Sequence, residues 1–238
     1  MRGLGWSGFV VLGLCLAGAG FAAWRYFAPS EQAEAQADVP VLVGKASVVV
    51  NSAFMVRRSD RLGGRIDDLP LALDVKTMEP AGPLRPLELQ DADAAPHILY
   101  VTLLARNEKL APNERTARLY LRHLQPDSAP SVAGLLRRAF ADSSPYRNED
   151  LHFTPPAGGL FAARCLRTNE PEVEKPDDRT EKTKKTEKPT LMLKTCVADL
   201  RVGAVDVRLR FSQSLLEDWE RTKAAAISFV TGLLRKQD

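Results

Sequence analysis

Between Arg2 and Arg25 the chain carries no charged side chain. A run of roughly 20 apolar and small residues is about what an α-helix needs to cross a ~30 Å hydrocarbon core. Trp6 stands near one end of the run, and Trp24, Tyr26 and Phe27 stand at the other. Amphipathic rings favour those positions, at the boundary between lipid and water. Residues 6–27 are therefore expected to form one transmembrane helix, and everything after them inherits its compartment from that helix.

A cleaved signal peptide is the competing reading, because Ala17-Gly18-Ala19 and Gly20-Phe21-Ala22 are small-residue runs that a peptidase accepts. The apolar run outlasts a signal peptide's core of about 7–15 residues, and aromatics with Arg25 follow it directly. We read an uncleaved anchor. Arg2 lies before the helix, and Glu31, Glu34 and Asp38 follow Arg25. That asymmetry favours a short cytoplasmic N-terminus (1–5) with the C-terminal part outside. The small-residue pairs Gly13/Ala17 and Gly18/Ala22 are ordinary in a Gly/Ala-rich membrane helix.

The polar stretch 28–38 reads as a linker, and residues 39–238 as a domain on the outer side of the membrane. About 200 residues suffice for one domain with a substantial core. Lys and Arg are interleaved with Asp and Glu, so the net charge of +3 names no partner. Nucleic acid is not an expected ligand for a chain on the outer side of a membrane. Cys15 falls inside the anchor, which leaves Cys165 and Cys196 as an even pair where disulfides persist. We expect them to bridge two neighbouring strands. Two free buried thiols remain the alternative, and the absence of Cys-x-x-Cys disfavours a redox catalyst.

Hydrophobic periodicity supplies the elements. Residues 45–50 and 66–75 read as strands, the second with Leu69, Leu71 and Leu73 on one face. Residues 97–104, introduced by Pro96, form the best strand pattern and belong inside a sheet. A helix is expected from Pro112 through Leu124. Residues 131–140 look like a short amphipathic helix capped by Ser131. A strand over 150–154 ends at Pro155-Pro156. Residues 159–166 and 191–200 pair as antiparallel arms, and a half-buried strand over 202–211 turns around Gly203. The segment 168–190 is nearly all Glu, Lys, Asp, Thr and Pro. It cannot bury enough apolar area to offset its ordering entropy, and is expected to be a disordered charged loop.

The C-terminus carries the clearest helix. Ser214 with Glu217 matches a capping box, and Leu215, Trp219, Thr222, Ala226, Val230 and Leu233 share one face. Trp219, mid-stripe, is the expected anchor of this helix on the sheet. The fold class is α+β: an antiparallel sheet with a packed C-terminal helix, preceded by one N-terminal transmembrane helix.

Chemical motifs are scarce. His97, His123 and His152 are far apart, none at ligand spacing from another His or Cys, so neither a metal nor another cofactor is expected. The Gly-x-Ser-x-Gly elbow, the Walker loop and His-Glu-x-x-His are missing. Asp67 and Asp68 are adjacent, and in a strand they point to opposite faces. Arg57, Arg58, Arg61 and Arg65 form the densest cluster of one charge ahead of the 168–190 segment. Forked guanidinium donors suit lipid headgroups, acidic glycans or an acidic protein face. The plainer reading is a solvated loop balanced by Asp60, Asp67 and Asp68.

Several short pieces recur in order: Phe54-Met-Val-Arg, Arg61-Leu-Gly-Gly, Asp68-Leu, Ile98-Leu-Tyr-Val-Thr and Glu114-Arg. Ser144-Pro-Tyr, Glu149-Asp-Leu, Phe161-Ala-Ala-Arg-Cys, Thr195-Cys, Arg210-Phe and Leu216-Glu-Asp-Trp follow. In these pieces the chain resembles a family of uncharacterised, single-pass membrane-anchored proteins of alphaproteobacteria. It departs from that pattern at Asp74-Val-Lys, where a Trp-Pro would stand, and in its Lys/Glu-rich insertion. The resemblance implies an anchored, disulfide-bearing outer domain and supplies no reaction, substrate or catalytic residue. The expected function is a non-enzymatic, membrane-tethered periplasmic binding or accessory protein of the cell envelope. An immunity protein that blocks a periplasm-targeted toxin and an envelope hydrolase are the alternatives. The partner would be another envelope protein or an anionic envelope component.

Overall fold

The computed structural model describes residues 37–82, 84, 92–156, 159–167 and 195–235. The expected anchor 6–27, nearly all of the linker 28–38 and the charged segment 168–190 lie outside the described residues. Among those described, no helix is long and apolar enough to cross a membrane.

The described residues are α+β. Asp38–Val43 (β1) and Ala46–Asn51 (β2) form an antiparallel hairpin, and Gly64–Ile66 (β3) adds to β1 in parallel. The larger sheet comprises Asp68–Asp74 (β4), Ile98–Ala105 (β5), Ala129–Pro130 (β6), Leu136–Ala139 (β7), Glu149–Phe153 (β8), Ala162–Leu166 (β9), Thr195–Val202 (β10) and Val205–Ser212 (β11). Its order is β4-β5-β11-β10-β9-β8-β7-β6, antiparallel at every pairing. Trp219–Arg235 is an α-helix (α1), entered through the 3-10 turn Gln213–Asp218.

Alternation decides which face is buried. Leu69, Leu71 and Leu73 of β4 are fully buried, as are Leu99, Val101 and Leu103 of β5. Val205, Val207, Leu209 and Phe211 of β11 continue that surface, and Ala198 and Leu200 of β10 extend it. These residues, the inner side chains of β1 and β2, and Trp219, Ala226, Val230 and Leu233 of α1 make one apolar core. On the sheet's other face, Tyr120, Phe140, Leu151 and Phe153 form a smaller aromatic cluster over its β7–β9 end. The irregular helical segment 112–123 carries Tyr120 onto that face: a 3-10 turn, a π-turn and a second 3-10 turn in succession.

Two local expectations are corrected. Residues 131–140 are a hairpin and not an amphipathic helix. Ala133 and Gly134 both have positive φ, 50° and 74°, and Leu135 N–H donates to Val132 O at 3.0 Å. That is the two-residue turn whose twist suits paired strands, and β7 then finds β8 alongside it. Ser131 makes no helix cap; its Oγ lies 2.8 Å from His152 Nδ1. At the C-terminal helix the cap is Ser212, whose side chain accepts from Ser214 N–H, and not the expected Ser214–Glu217 box. The opening 3-10 turn moves the start of the α-helix to Trp219 itself.

Candidate functional site

Cys165 on β9 and Cys196 on β10 stand opposite each other and form a disulfide, with Sγ atoms 2.01 Å apart. Both are buried, and the bridge closes a loop with a sequence separation of 31. Trp219 is buried, stacks on Phe161 with ring centroids 4.9 Å apart, and donates from Nε1 to Ala133 O at 3.2 Å. It thus ties α1 both to the lead-in of β9 and to the β6–β7 turn.

The four clustered arginines are distributed over the loop 57–62 and β3. Arg57 is spent locally: its Nε donates to Asp60 Oδ2 at 2.8 Å and its Nη2 to Asp68 Oδ1 at 3.0 Å and to Asp68 O. Those bonds, the Asp60 one foremost, raise its pKa above the ordinary value. Arg58 and Arg61 lie in the 3-10 turn Arg58–Leu62, and Arg65 is exposed on β3. Gly63 presses this loop onto β1, with φ 72° and space for a Cβ only 2.7 Å from Pro40 O.

A cleft with a volume of about 440 Å³ opens elsewhere, between the 112–123 segment, the Gly159–Phe161 stretch and α1. Its origin is a gap in the large sheet. β9 pairs with β10 only from Cys165↔Cys196 to Ala163↔Ala198. β9 keeps its register with β8 past Ala162: Phe161 N–H donates to Thr154 Oγ1 at 3.1 Å, and Thr154 N–H to Phe161 O at 3.0 Å. β10 runs on through Leu200, Arg201 and Val202, beyond the end of β9 at Ala162.

Cations crowd this gap. Arg115, Arg164, Arg201 and Lys223 line it with the carboxylate Asp199. Each charge is held in place. Arg115 Nη1 reaches Asp199 Oδ2 at 2.5 Å, and Arg208 Nε approaches Asp199 Oδ1 at 3.0 Å. Arg164 pairs with Glu149 at 2.8 Å and lies over the Tyr146 and Tyr120 rings at 4.6 and 5.5 Å. Arg201 pairs with Asp206 at 2.7 Å and donates from Nη2 to Asn107 O at 2.6 Å. Lys223 Nζ donates to Leu160 O at 2.6 Å, and the Leu160 side chain beside it is 68% exposed. Burial pushes the Glu149 carboxyl above its ordinary pKa against the pull of Arg164, and burial raises the Tyr120 phenol. The Arg201 guanidinium is raised, first by its bond to Asp206.

Asp199 is the carboxylate of the lining, and the histidines lie elsewhere. His97 is half-exposed, 3.9 Å from Asp74, and His123 neighbours Arg122 and Tyr146. His152 is buried beside Ser131, with its pKa lowered to about 4, first by burial. The nearby Asp150 is already engaged by Arg167 at 3.0 Å and Arg137 at 3.9 Å. Among the described residues no three His, Cys, Asp or Glu side chains gather as a metal would require.

Sequence reasoning missed the cleft. Its one local signal was the alternation of polar Asp199 and Arg201 against Ala198 and Leu200, which reads equally as an ordinary solvent face.

No protein-family model matches the chain, and no curated protein sequence does. The fold is similar to that of Smlt3025, an immunity protein of the Stenotrophomonas maltophilia type IV secretion system. That alignment has a TM-score of 0.52 at 13% identity and covers 83% of this chain and 93% of that one. FrpD, an iron-regulated outer membrane lipoprotein of Neisseria meningitidis, aligns at a TM-score of 0.42 and 8% identity, over 84% and 94% of the two chains. The first likeness is one of fold, and the second carries no argument.

Proposed function

We propose that this chain is a non-enzymatic binding protein of the bacterial cell envelope whose partner docks at the cleft beside β10. In this reading residues 6–27 anchor it in the inner membrane, and the described domain lies in the periplasm. The observation that carries the proposal is the cleft itself, where Arg115, Arg164, Arg201 and Lys223 are held in fixed positions around an open sheet edge. Preorganised guanidinium groups suit carboxylates on a partner's surface and need little ordering on binding. The Cys165–Cys196 bridge supports an oxidising compartment.

The more specific reading is immunity: the partner is a toxin delivered into the periplasm. The likeness in fold to the Smlt3025 immunity protein favours it over other accessory roles.

The test is affinity capture from detergent-solubilised envelopes with three full-length baits: wild type, Lys223→Glu with Leu160→Asp, and Arg58→Glu with Arg65→Glu. A protein retained by the wild type and the arginine-loop variant but lost by the cleft variant supports the proposal. Loss with the loop variant alone overturns the site. Neutralisation of the captured protein's toxicity by co-expression supports immunity; a captured protein that is harmless when expressed in the periplasm rejects it.

A further inference from the structure

We infer that the β10 edge from Asp199 to Val202 accepts an extended acidic segment of the partner as an added strand, continuing the line of β9. This rests on the binding role proposed above and specifies how the partner is held.

Backbone geometry comes first. The Cα atoms of Cys165 and Cys196 are 4.0 Å apart, the close spacing of a non-hydrogen-bonded pair in an antiparallel ladder. Arg164 and Val197, the next pair, are therefore hydrogen-bonded to each other. By the two-residue period, Asp199 and Arg201 also turn their backbone N–H and C=O groups toward the β9 side. There the ladder has ended, since its last pair is Ala163↔Ala198. Arg201 thus presents a donor and an acceptor into the cleft at the spacing that strand addition uses.

Side chains set the occupant. Asp199 and Arg201 lie on the face of the 112–123 segment, with Arg115 and Arg164, whereas Leu200 is in the core on the face of α1. An added strand alternates in the same way. Its residues on the first face meet the guanidinium groups, and those on the second meet Leu200 and Ile227. Arg115, Arg164, Arg201, Arg208 and Lys223 outnumber Glu149, Asp199 and Asp206, so the cleft favours acidic residues on the first face. The occupant is a protein segment of alternating acidic and apolar residues.

The cleft opens where the β9–β10 ladder ends, and there Phe161 is fixed to β8 by Thr154 and to α1 by stacking on Trp219. Both restraints belong to the folded domain, so the edge is open before any partner arrives.

The test uses the full chain in lipid nanodiscs and a capped hexapeptide of alternating Glu and Val as the probe. A Lys/Val peptide serves as the charge control. A Glu/Val peptide N-methylated at alternate residues serves as the backbone control. Strand addition predicts that the Glu/Val peptide binds and slows amide exchange over 199–202. N-methylation in the pairing register should weaken binding by about tenfold through the loss of two backbone hydrogen bonds. Equal binding of the N-methylated peptides, or unchanged exchange over 199–202, overturns strand addition while leaving an acid-binding cleft. No binding of the Glu/Val peptide also overturns it, and the capture experiment with the Lys223→Glu, Leu160→Asp bait then decides the binding role separately.

Discussion

The arginine loop at 57–65 and the cleft beside β10 each gather several guanidinium groups, yet they are built in opposite ways. In the loop the arginines are neighbours in sequence, and carboxylates nearby in sequence, Asp60 and Asp68, neutralise the first of them. In the cleft Arg115, Arg164 and Arg201 come from distant parts of the chain, and the fold brings them together around a sheet edge. Charge density along a sequence is therefore a poor guide to charge density in space. A local cluster carries its own counter-ions, whereas a convergent one is assembled by backbone pairing.

The two regions should differ most in how far the fold depends on them. Trp219 underpins the cleft through Phe161, and truncating a buried Trp costs about 3–5 kcal/mol. Trp219→Ala should lower the thermal midpoint sharply, or leave the chain unfolded. A Tm equal to wild type would show that the stacked pair contributes nothing to the cleft end of the domain. No single arginine substitution within 57–65 is expected to come near that loss.

The disulfide comes next. On the chain-entropy model, closing a loop of this length is worth about 3–4 kcal/mol. Replacing both Cys165 and Cys196 by Ala should lower the denaturation midpoint accordingly, and reductant should do the same to the wild type but nothing to the variant. Two alkylatable thiols in the unreduced, denatured domain would refute the bridge.

His152 stands opposite Ala163 of β9, one strand from the cleft. Burial holds its pKa at about 4 against an ordinary 6.5, although Asp150 draws it upward and Arg137 adds to the depression. Between those values the unfolded chain binds more protons than the folded one. Stability should therefore fall as pH drops from about 6.5 to about 4, by about 3 kcal/mol in all from this group. Urea melts across that range should show the slope flattened in His152→Gln; an unchanged slope would assign the acid sensitivity elsewhere.

The smallest effects bear directly on the charges. Asp199 is 10% exposed and serves both Arg115 and Arg208. Removing a buried charged acceptor costs about 1.5–3 kcal/mol. Asp68 is 51% exposed in its pair with Arg57, where such pairs are worth about 0–1 kcal/mol. Asp199→Ala should thus destabilise clearly more than Asp68→Ala in the same chemical melt. Equal losses would erase the distinction between the two regions.

Much of the fold was legible because it rests on periodicity. The alternations in β4 and β11 and the continuous apolar run of β5 are each written within about ten residues, and the stripe of α1 within a single helix. Failures came where two local patterns compete. Residues 131–140 have an amphipathic spacing, but Ala133 and Gly134 adopt the paired positive φ of a hairpin turn once β8 offers β7 a partner. Ser214 and Glu217 fit a capping box, yet Ser212, at the end of β11, takes the cap.

From the sequence alone came the α+β class, the strand-borne cysteines and the buried face of the last helix, because side-chain spacing over a few residues dictates each. The cleft was decided by tertiary structure. Its guanidinium groups belong to the 112–123 segment, to β9 and to β10, and it opens where the β9–β10 ladder ends at Ala163↔Ala198. No stretch of sequence holds both sides of that gap, so only the pairing of β10 with a strand shorter than itself could create it.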